Sequence, residues 1–219
     1  MLIWANKNEI NTEIIDPMEA MYSKGLGMEN EGKELKIWEL SVILRQIQQH
    51  FGERKDISIL DFGAGASPFG AYLNHIGYHL VTCLDIIKGG WHPEIDQRIY
   101  NERYDACVRY IKTDVTHAYN EKHDVIFSAS VLEHIGDKGL EAVRVLSKCL
   151  KPDGLFIHVA DHPRGINFKK LIENCSIPIS YKPELTPGCE EFKNLPPDIW
   201  WNKRHLTRVA FFNERKMVR

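Results

Sequence analysis

The chain has 219 residues, 43% of them hydrophobic and 26% charged, with a formal net charge of −2. That balance excludes a disordered or collagen-like chain and excludes nucleic-acid binding driven by bulk charge. The length fits one domain with additions. Basic residues near the end (Lys203, Arg204, Arg208, Arg215, Lys216, Arg219) read as a solvated face. Five cysteines are present; their odd number and the lack of a Cys-x-x-Cys pair argue against a disulfide framework or a zinc site. No apolar run reaches the ~20 residues of a membrane span, and no signal peptide is visible after Met1. A reducing cytoplasm is the expected home.

Residues 1–33 are polar and irregular, with Pro17, Gly25 and Gly27, and are expected to form a lead-in able to lie across a site as a lid. Residues 34–219 are expected to form the main domain. From Glu34 the pattern changes. Ile37, Leu40, Ile43, Leu44, Ile47 and Phe51 recur at helical spacing, which predicts an amphipathic helix ending near Gly52.

The period then shortens. Ile57 to Phe62 is short, β-branched and bounded by Gly63, as a buried strand would be. Similar runs follow at His79–Leu84, Tyr110–Thr113, Asp124–Phe127 and Leu155–Val159. Between the last two, Leu140, Val143, Leu146 and Leu150 mark a helix. It runs into Lys151-Pro152-Asp153-Gly154, where Pro fixes φ and Gly accepts a positive φ, so a turn is expected. Strands alternating with helices predict βαβ units with right-handed crossovers. The expected class is therefore α/β: a Rossmann-like, doubly wound, mostly parallel sheet over a core of residues 57–160. Residues 163–219 are expected to form an acceptor-side extension, with a helix near Phe168–Cys175 and a final antiparallel strand over Leu206–Phe212.

The most informative segment is Asp61-Phe62-Gly63-Ala64-Gly65-Ala66-Ser67-Pro68, which leaves one strand and opens a helix. Glycines there let backbone approach a ligand and take φ values closed to other residues. Ser67 suits an N-cap and Pro68 the first helical position. A dinucleotide fingerprint needs a third glycine where Pro68 stands, which weakens a nicotinamide-binding oxidoreductase reading. Asp85 ends the second strand, ~20 residues on, where an acid can accept both hydroxyls of a ribose.

Asp-x-Gly-x-Gly, Asp85, Asp114-Val115, Val131-Leu132-Glu133-His134 and Leu150-Lys151-Pro152-Asp153-Gly154 occur in order over residues 57–160. Together they resemble the small-molecule and lipid branch of the class I S-adenosylmethionine-dependent methyltransferases. The resemblance implies that Asp61, Gly63, Ala64, Gly65 and Ser67 meet the methionine and ribose. It implies that Asp85 and Ile86 hold the ribose end, that Asp114 and Val115 meet the adenine, and that Ser128 stands where many relatives place Asn or Asp. The implied cofactor is S-adenosylmethionine, with S-adenosylhomocysteine as product. The Asn/Asp-Pro-Pro-aromatic motif of amino-group methyltransferases is absent. The expected reaction is therefore O-methylation of a small molecule, lipid precursor or sugar. Ser130 stands where some quinone-type relatives carry an extra Glu proposed to help bind a metal, so no metal is expected, and Glu133 with His134 is too few ligands.

A hydroxyl acceptor must lose a proton, and a buried histidine is the natural base. His134 after the fourth strand and His162 after the fifth are the candidates, with Asp161 beside the latter. Tyr22, Trp91, His92, Trp200 and Trp201 are candidate pocket residues. A catalytically silent methyltransferase-like binding module remains the alternative to an enzyme. No nucleic-acid partner is expected, and the oligomeric state is not legible.

Overall fold

The computed structural model describes residues 2–4, 33–86, 95–117, 119–162 and 207–212. Strand β1 (Leu2–Trp4) is followed by helix α1 (Lys33–Phe51) and strand β2 (Ser58–Phe62). Helix α2 (Phe69–His75), strand β3 (Leu80–Asp85), helix α3 (Gln97–Tyr104) and strand β4 (Arg109–Lys112) come next. Strand β5 (His123–Ala129), a 3-10 turn (Leu132–His134), helix α4 (Asp137–Lys148), strand β6 (Leu150–His162) and strand β7 (Thr207–Phe212) complete the described elements.

Among the described residues the sheet runs β1-β7-β6-β5-β2-β3-β4. Strands β4, β3, β2, β5 and β6 are parallel neighbours, while β7 pairs antiparallel with β6 and β1 antiparallel with β7. The chain thus builds outward from β2 through β3 to β4, then returns to the other side of β2 at β5. A reversal of this kind opens a crevice at the carboxyl ends of β2 and β5, the usual ligand site of open parallel sheets.

The alternation along each strand sorts side chains onto two faces. Ile59, Val125, Phe127, Leu155, Ile157 and Val159 join α1, α2 and α3 in one core. Leu60, Ile126, Phe156 and Ala160 join Ala142, Val143 and Leu146 of α4 in the other. Helices therefore cover both faces, as a buried parallel sheet requires. Helix α1 packs against β5, β6 and β7, and Ile37, Trp38, Leu40, Ile43, Leu44 and Ile47 are all buried. Six such side chains removed from water contribute on the order of 10 kcal/mol as an upper estimate.

The end of the sheet opposite the crevice is tied by one carboxylate. Asp124 Oδ2 accepts from the Ser58 amide at 2.7 Å, the Ser58 hydroxyl at 2.7 Å and Lys151 Nζ at 2.8 Å. Partial burial pushes the Asp124 carboxyl up, but the Lys151 and Ser58 hydrogen bonds outweigh it and hold the group below the usual range.

Two segments differ from expectation. Leu2–Trp4 is not irregular but forms an edge strand on β7, a placement set by a partner some two hundred residues away in the chain. The lid expected of the rest of the lead-in lies outside the described residues, as does the helix expected near Phe168–Cys175. The turn at Lys151–Gly154 is an irregularity within β6, where the register against β5 shifts between His123 and Val125. Its positive φ, 60°, falls on Asp153 rather than on Gly154. Gly154 is needed for space instead: a Cβ there would lie 2.8 Å from both the Asp124 carbonyl oxygen and Leu150 Cγ.

Candidate active site

The site is built on the glycine turn that leaves β2. Gly63 has φ 73° and Gly65 φ 51°, left-handed values that a side chain resists. Gly63 also abuts Val131, whose methyl carbons would lie 2.4 and 2.5 Å from a Cβ. The turn is fastened to β3 by backbone bonds, with the Gly63 and Ala64 amides donating to the Leu84 carbonyl at 2.8 and 3.2 Å. The Gly65 amide donates to Asp85 Oδ2 at 2.7 Å. Asp85 therefore orients the turn with one carboxylate oxygen while standing half-buried at the mouth of the crevice.

Helix α2 begins at Phe69, one residue later than the sequence suggests, with Pro68 at the cap (φ −74°). The Ser67 hydroxyl accepts a long bond from the Phe69 amide, 3.4 Å. The carbonyls of this turn point the other way. Tyr110 Oη donates to Gly65 O at 2.8 Å, Tyr104 Oη to Ala66 O at 2.6 Å and Tyr100 Oη to Ser67 O at 2.6 Å.

Asp61 is 4% exposed on β2. Burial pushes its carboxyl up to about 7, opposed by the Lys36 ammonium and reinforced by the Asp85 charge. Lys36 Nζ itself donates to Glu39 Oε2 at 2.8 Å and to the Ala129 carbonyl at 2.9 Å. Glu39, fully buried on α1, accepts from the Ser130 hydroxyl at 2.7 Å. Ser130 takes φ 56° directly after β5. A buried carboxylate on α1 thus pins the end of β5 beside Asp61, and the signal for it was in the sequence: an acid between Trp38 and Leu40 on an apolar face.

The remaining candidates are dispersed. Ile86 follows Asp85 with 38% of its surface exposed, an apolar face next to a carboxylate. Asp114 bonds within its own turn, Oδ1 accepting from the Thr116 amide at 3.0 Å and the Thr116 hydroxyl at 2.8 Å. Those two bonds hold its carboxyl below the usual range. Val115 is buried in the α4-side core. Ser128 is fully buried, its hydroxyl 2.6 Å from His158 Nδ1. Burial pulls that imidazole down to about 3. His134, expected as a buried base, is solvent-exposed on the 3-10 turn after β5. His162 is the last residue of β6, and its side chain, like that of Asp161, lies outside the described set. Tyr22, Trp91, His92, Trp200 and Trp201 also lie outside it. No group of three or more His, Cys, Asp or Glu side chains is placed to hold a metal among the described residues.

Residues 60–158 match the family described as "Methyltransferase domain". That match supports the class I S-adenosylmethionine-dependent methyltransferase family for this part of the chain. The matched segment runs from β2 to β6 and contains the glycine turn, Asp85 and the end of β5. The chain is also similar to a mitochondrial ubiquinone biosynthesis O-methyltransferase of Dictyostelium discoideum, 25% identical over 107 residues, which are 45% of this chain. The chain spans about a third (33%) of the length of that curated relative. Among solved structures it resembles a TehB-like S-adenosylmethionine-dependent methyltransferase of Corynebacterium glutamicum, with TM-score 0.54 and 17% identity over 81% of this chain and 88% of that one. It also resembles the 1,6-didemethyltoxoflavin-N1-methyltransferase of Burkholderia thailandensis, crystallised with bound 1,6-didemethyltoxoflavin and S-adenosylhomocysteine. That TM-score is 0.55, with 16% identity over 81% of this chain and 78% of the other. At such identities the likeness to both structures is one of fold.

The methyltransferase's cofactor is S-adenosylmethionine, and the residues present fit it. A cationic sulfonium and ammonium suit a crevice bordered by the half-buried Asp85 carboxylate, with Asp61 buried on the neighbouring strand. The left-handed turn at Gly65 carries no side chain, and a Cβ there would meet only Asp85 Oδ2, at 3.8 Å. Space for a ligand is therefore kept where the backbone comes closest to the crevice.

Proposed function

We propose that this methyltransferase acts on an oxygen of a small molecule, lipid precursor or sugar. The observation that carries the donor half is the glycine turn with Asp85 at the reversal point of the sheet. Gly63, Ala64, Gly65 and Ser67 then border the methionine and ribose, and Asp61 supplies negative charge below them. Asp85 uses one oxygen on the Gly65 amide and presents the carboxylate to the ribose hydroxyls. Ile86 offers an apolar face to the adenine, and Asp114, Val115 and Ser128 stand at the strand ends around it.

Bound there, S-adenosylmethionine supplies a methyl group already activated on a sulfonium. The chain's own task is to align the acceptor in line with that methyl and, for a hydroxyl, to take its proton. His134 follows β5 and His162 ends β6, and these two strands are neighbours. His134 is exposed on its turn, so in this reading the bound acceptor shields it during turnover. The O-methyltransferase name of the Dictyostelium relative and the missing amino-group motif support oxygen as the acceptor atom. The free thiols of Cys83, Cys107 and Cys149 support a reducing compartment. Among the described residues no helix is long and apolar enough to cross a membrane.

Two measurements test the reading. Titration with S-adenosylhomocysteine should show binding to the wild type, and Asp85→Ala should weaken it at least about tenfold, since bonds to a charged acceptor are worth roughly 1.5–3 kcal/mol each. Unchanged affinity would remove Asp85 from the site. A methyl-labelled donor offered with panels of phenols, hydroxylated lipid precursors, sugars and amines should label an oxygen class. His134→Ala should then lower kcat about 10²–10⁴-fold while leaving donor affinity intact. Full turnover in His134→Ala with loss in His162→Ala would move the role to β6. Labelling confined to amines would overturn the oxygen assignment.

A further inference from the structure

Three buried tyrosines converge on three consecutive carbonyls of the glycine turn. Tyr100 and Tyr104 lie on α3 one helical turn apart, a spacing that puts both on the same face. Tyr110 lies on β4. Their hydroxyls donate in order to Ser67 O, Ala66 O and Gly65 O at 2.6, 2.6 and 2.8 Å. The rings are 0%, 3% and 7% exposed, and Tyr100 packs against both Tyr104 and Tyr110 with centroids 5.0 and 5.3 Å apart. Tyr100 Oη also accepts from the Ala71 amide at 3.2 Å, which joins the turn to the first residues of α2.

Packing alone does not require this arrangement. A phenylalanine fills the same apolar volume, and buried hydroxyls are retained where each has a partner. Here all three partners are carbonyls of one short turn, reached from two separate elements. The other side of the turn is held as well, with the Gly65 amide on Asp85 and the Ala64 amide on Leu84 O. Gly65 therefore has its donor fixed by β3 and its acceptor fixed by β4. A glycine-rich segment has more conformational freedom to lose than any other, and a ligand that must order it loses affinity accordingly.

We propose that Tyr100, Tyr104 and Tyr110 are positioning residues that hold the glycine turn in its donor-binding conformation before S-adenosylmethionine arrives. They act through the backbone and touch no reacting atom. The proposal rests on the assignment of the turn to the donor.

The test is calorimetric titration of the full-length chain with S-adenosylhomocysteine, in wild type and in Tyr104→Phe, Tyr110→Phe, the double variant, and Tyr78→Phe. Tyr78 is fully buried in the same core, and its hydroxyl has no hydrogen-bond partner among the described residues, so it controls for loss of a buried hydroxyl elsewhere. All are compared well below their unfolding temperatures. Each turn-facing variant should raise Kd about three- to tenfold, the worth of one ordinary hydrogen bond, and the double variant more. The loss should appear as a less favourable binding entropy, and the amides of residues 64–67 should exchange faster in the free protein. Tyr78→Phe should stay within about twofold of wild type. Wild-type affinity and exchange in the double variant would overturn the proposal, as would an equal loss in Tyr78→Phe. If the double variant does not fold, Tyr110→Phe on the edge-side strand β4 decides alone. Absence of binding by the wild type would instead strike the donor assignment. Loss in Asp85→Ala with no loss in the tyrosine variants would strike only the tyrosines.

Discussion

Gly65 shows how one residue joins backbone geometry to ligand binding. Its φ of 51° is left-handed, and a Cβ there would find only the Asp85 carboxylate nearby, at 3.8 Å. Gly65→Val should therefore be tolerated by the core yet strained at the turn, at roughly 1–2 kcal/mol, and its two methyl groups should stand in the donor's space. The expected outcome is a folded protein by circular dichroism with S-adenosylhomocysteine binding lost in a titration. Wild-type affinity in a folded variant would remove the turn from the site. At this scale the sequence was legible where a residue's role is local. Gly63 and Gly65 announce a turn because few other residues take those φ values, and Asp85 announces a carboxylate at a strand end because the apolar run stops there. It was not legible where a role depends on who arrives from elsewhere. Ser128 looks like a strand-end residue in the sequence, but its hydroxyl is spent on His158 of the neighbouring strand. Asp114 is satisfied by Thr116 two residues on, a turn-forming habit that propensity alone anticipates.

Elements follow the same division. The 3.6-residue period of Ile37 to Ile47 foretold α1 because its apolar stripe is written along one segment. The tyrosines of α3 were missed because that helix shows no such stripe: Tyr100 and Tyr104 are its buried residues, and their partners are 33 and 38 residues earlier in the chain. Strand β6 shows a third case. The Lys151–Gly154 segment contains turn residues, yet it lies inside a strand that pairs with β5 on either side of a register shift. What fixes it is crowding. A Cβ on Gly154 would lie 2.8 Å from the Asp124 carbonyl, and Asp124 is locked by Ser58 and Lys151, so the neighbour cannot move aside freely. Gly154→Ala should cost about 1–3 kcal/mol by overpacking, lowering the melting temperature by roughly 3–10 °C. The donor site lies at the other end of the sheet, so S-adenosylhomocysteine affinity at low temperature should hold. An unchanged melting temperature would mean that β6 relaxes where the geometry says it cannot.

Among the described residues, two buried histidines and one buried aspartate set opposing pH dependences. Burial pulls His123 down to about 4 and His158 down to about 3, from an ordinary 6.5. Between pH 6.5 and about 4 the unfolded chain takes up protons that these folded imidazoles refuse, so acidification destabilises the fold through each of them. Asp61 has the opposite sign. Burial, with Lys36 opposing, raises it from 3.8 to about 7, so the folded state keeps a proton that the unfolded carboxylate has released. Its contribution is fully present below pH 3.8 and is lost as pH rises through about 7. Within the window from pH 4 to 6.5 two histidines act against one aspartate, and carboxylates held low by partners, such as Asp124, act only below it. The net expectation is a stability that falls on acidification by about 1.4 kcal/mol per pH unit, the slope of a single group. Asp61→Asn removes the opposing member. Its slope should steepen to about twice that of the wild type, and at pH 8 the variant should be more stable, because an unneutralised buried carboxylate has been replaced by a neutral amide. The same substitution should weaken S-adenosylhomocysteine binding if Asp61 supplies charge to the donor's ammonium, so stability and affinity should move in opposite directions. Urea unfolding at pH 5, 6, 7 and 8 reads the first effect and titration at pH 8 the second. A slope unchanged by Asp61→Asn would mean that Asp61 is ionised in the fold throughout this range and that Lys36 outweighs its burial.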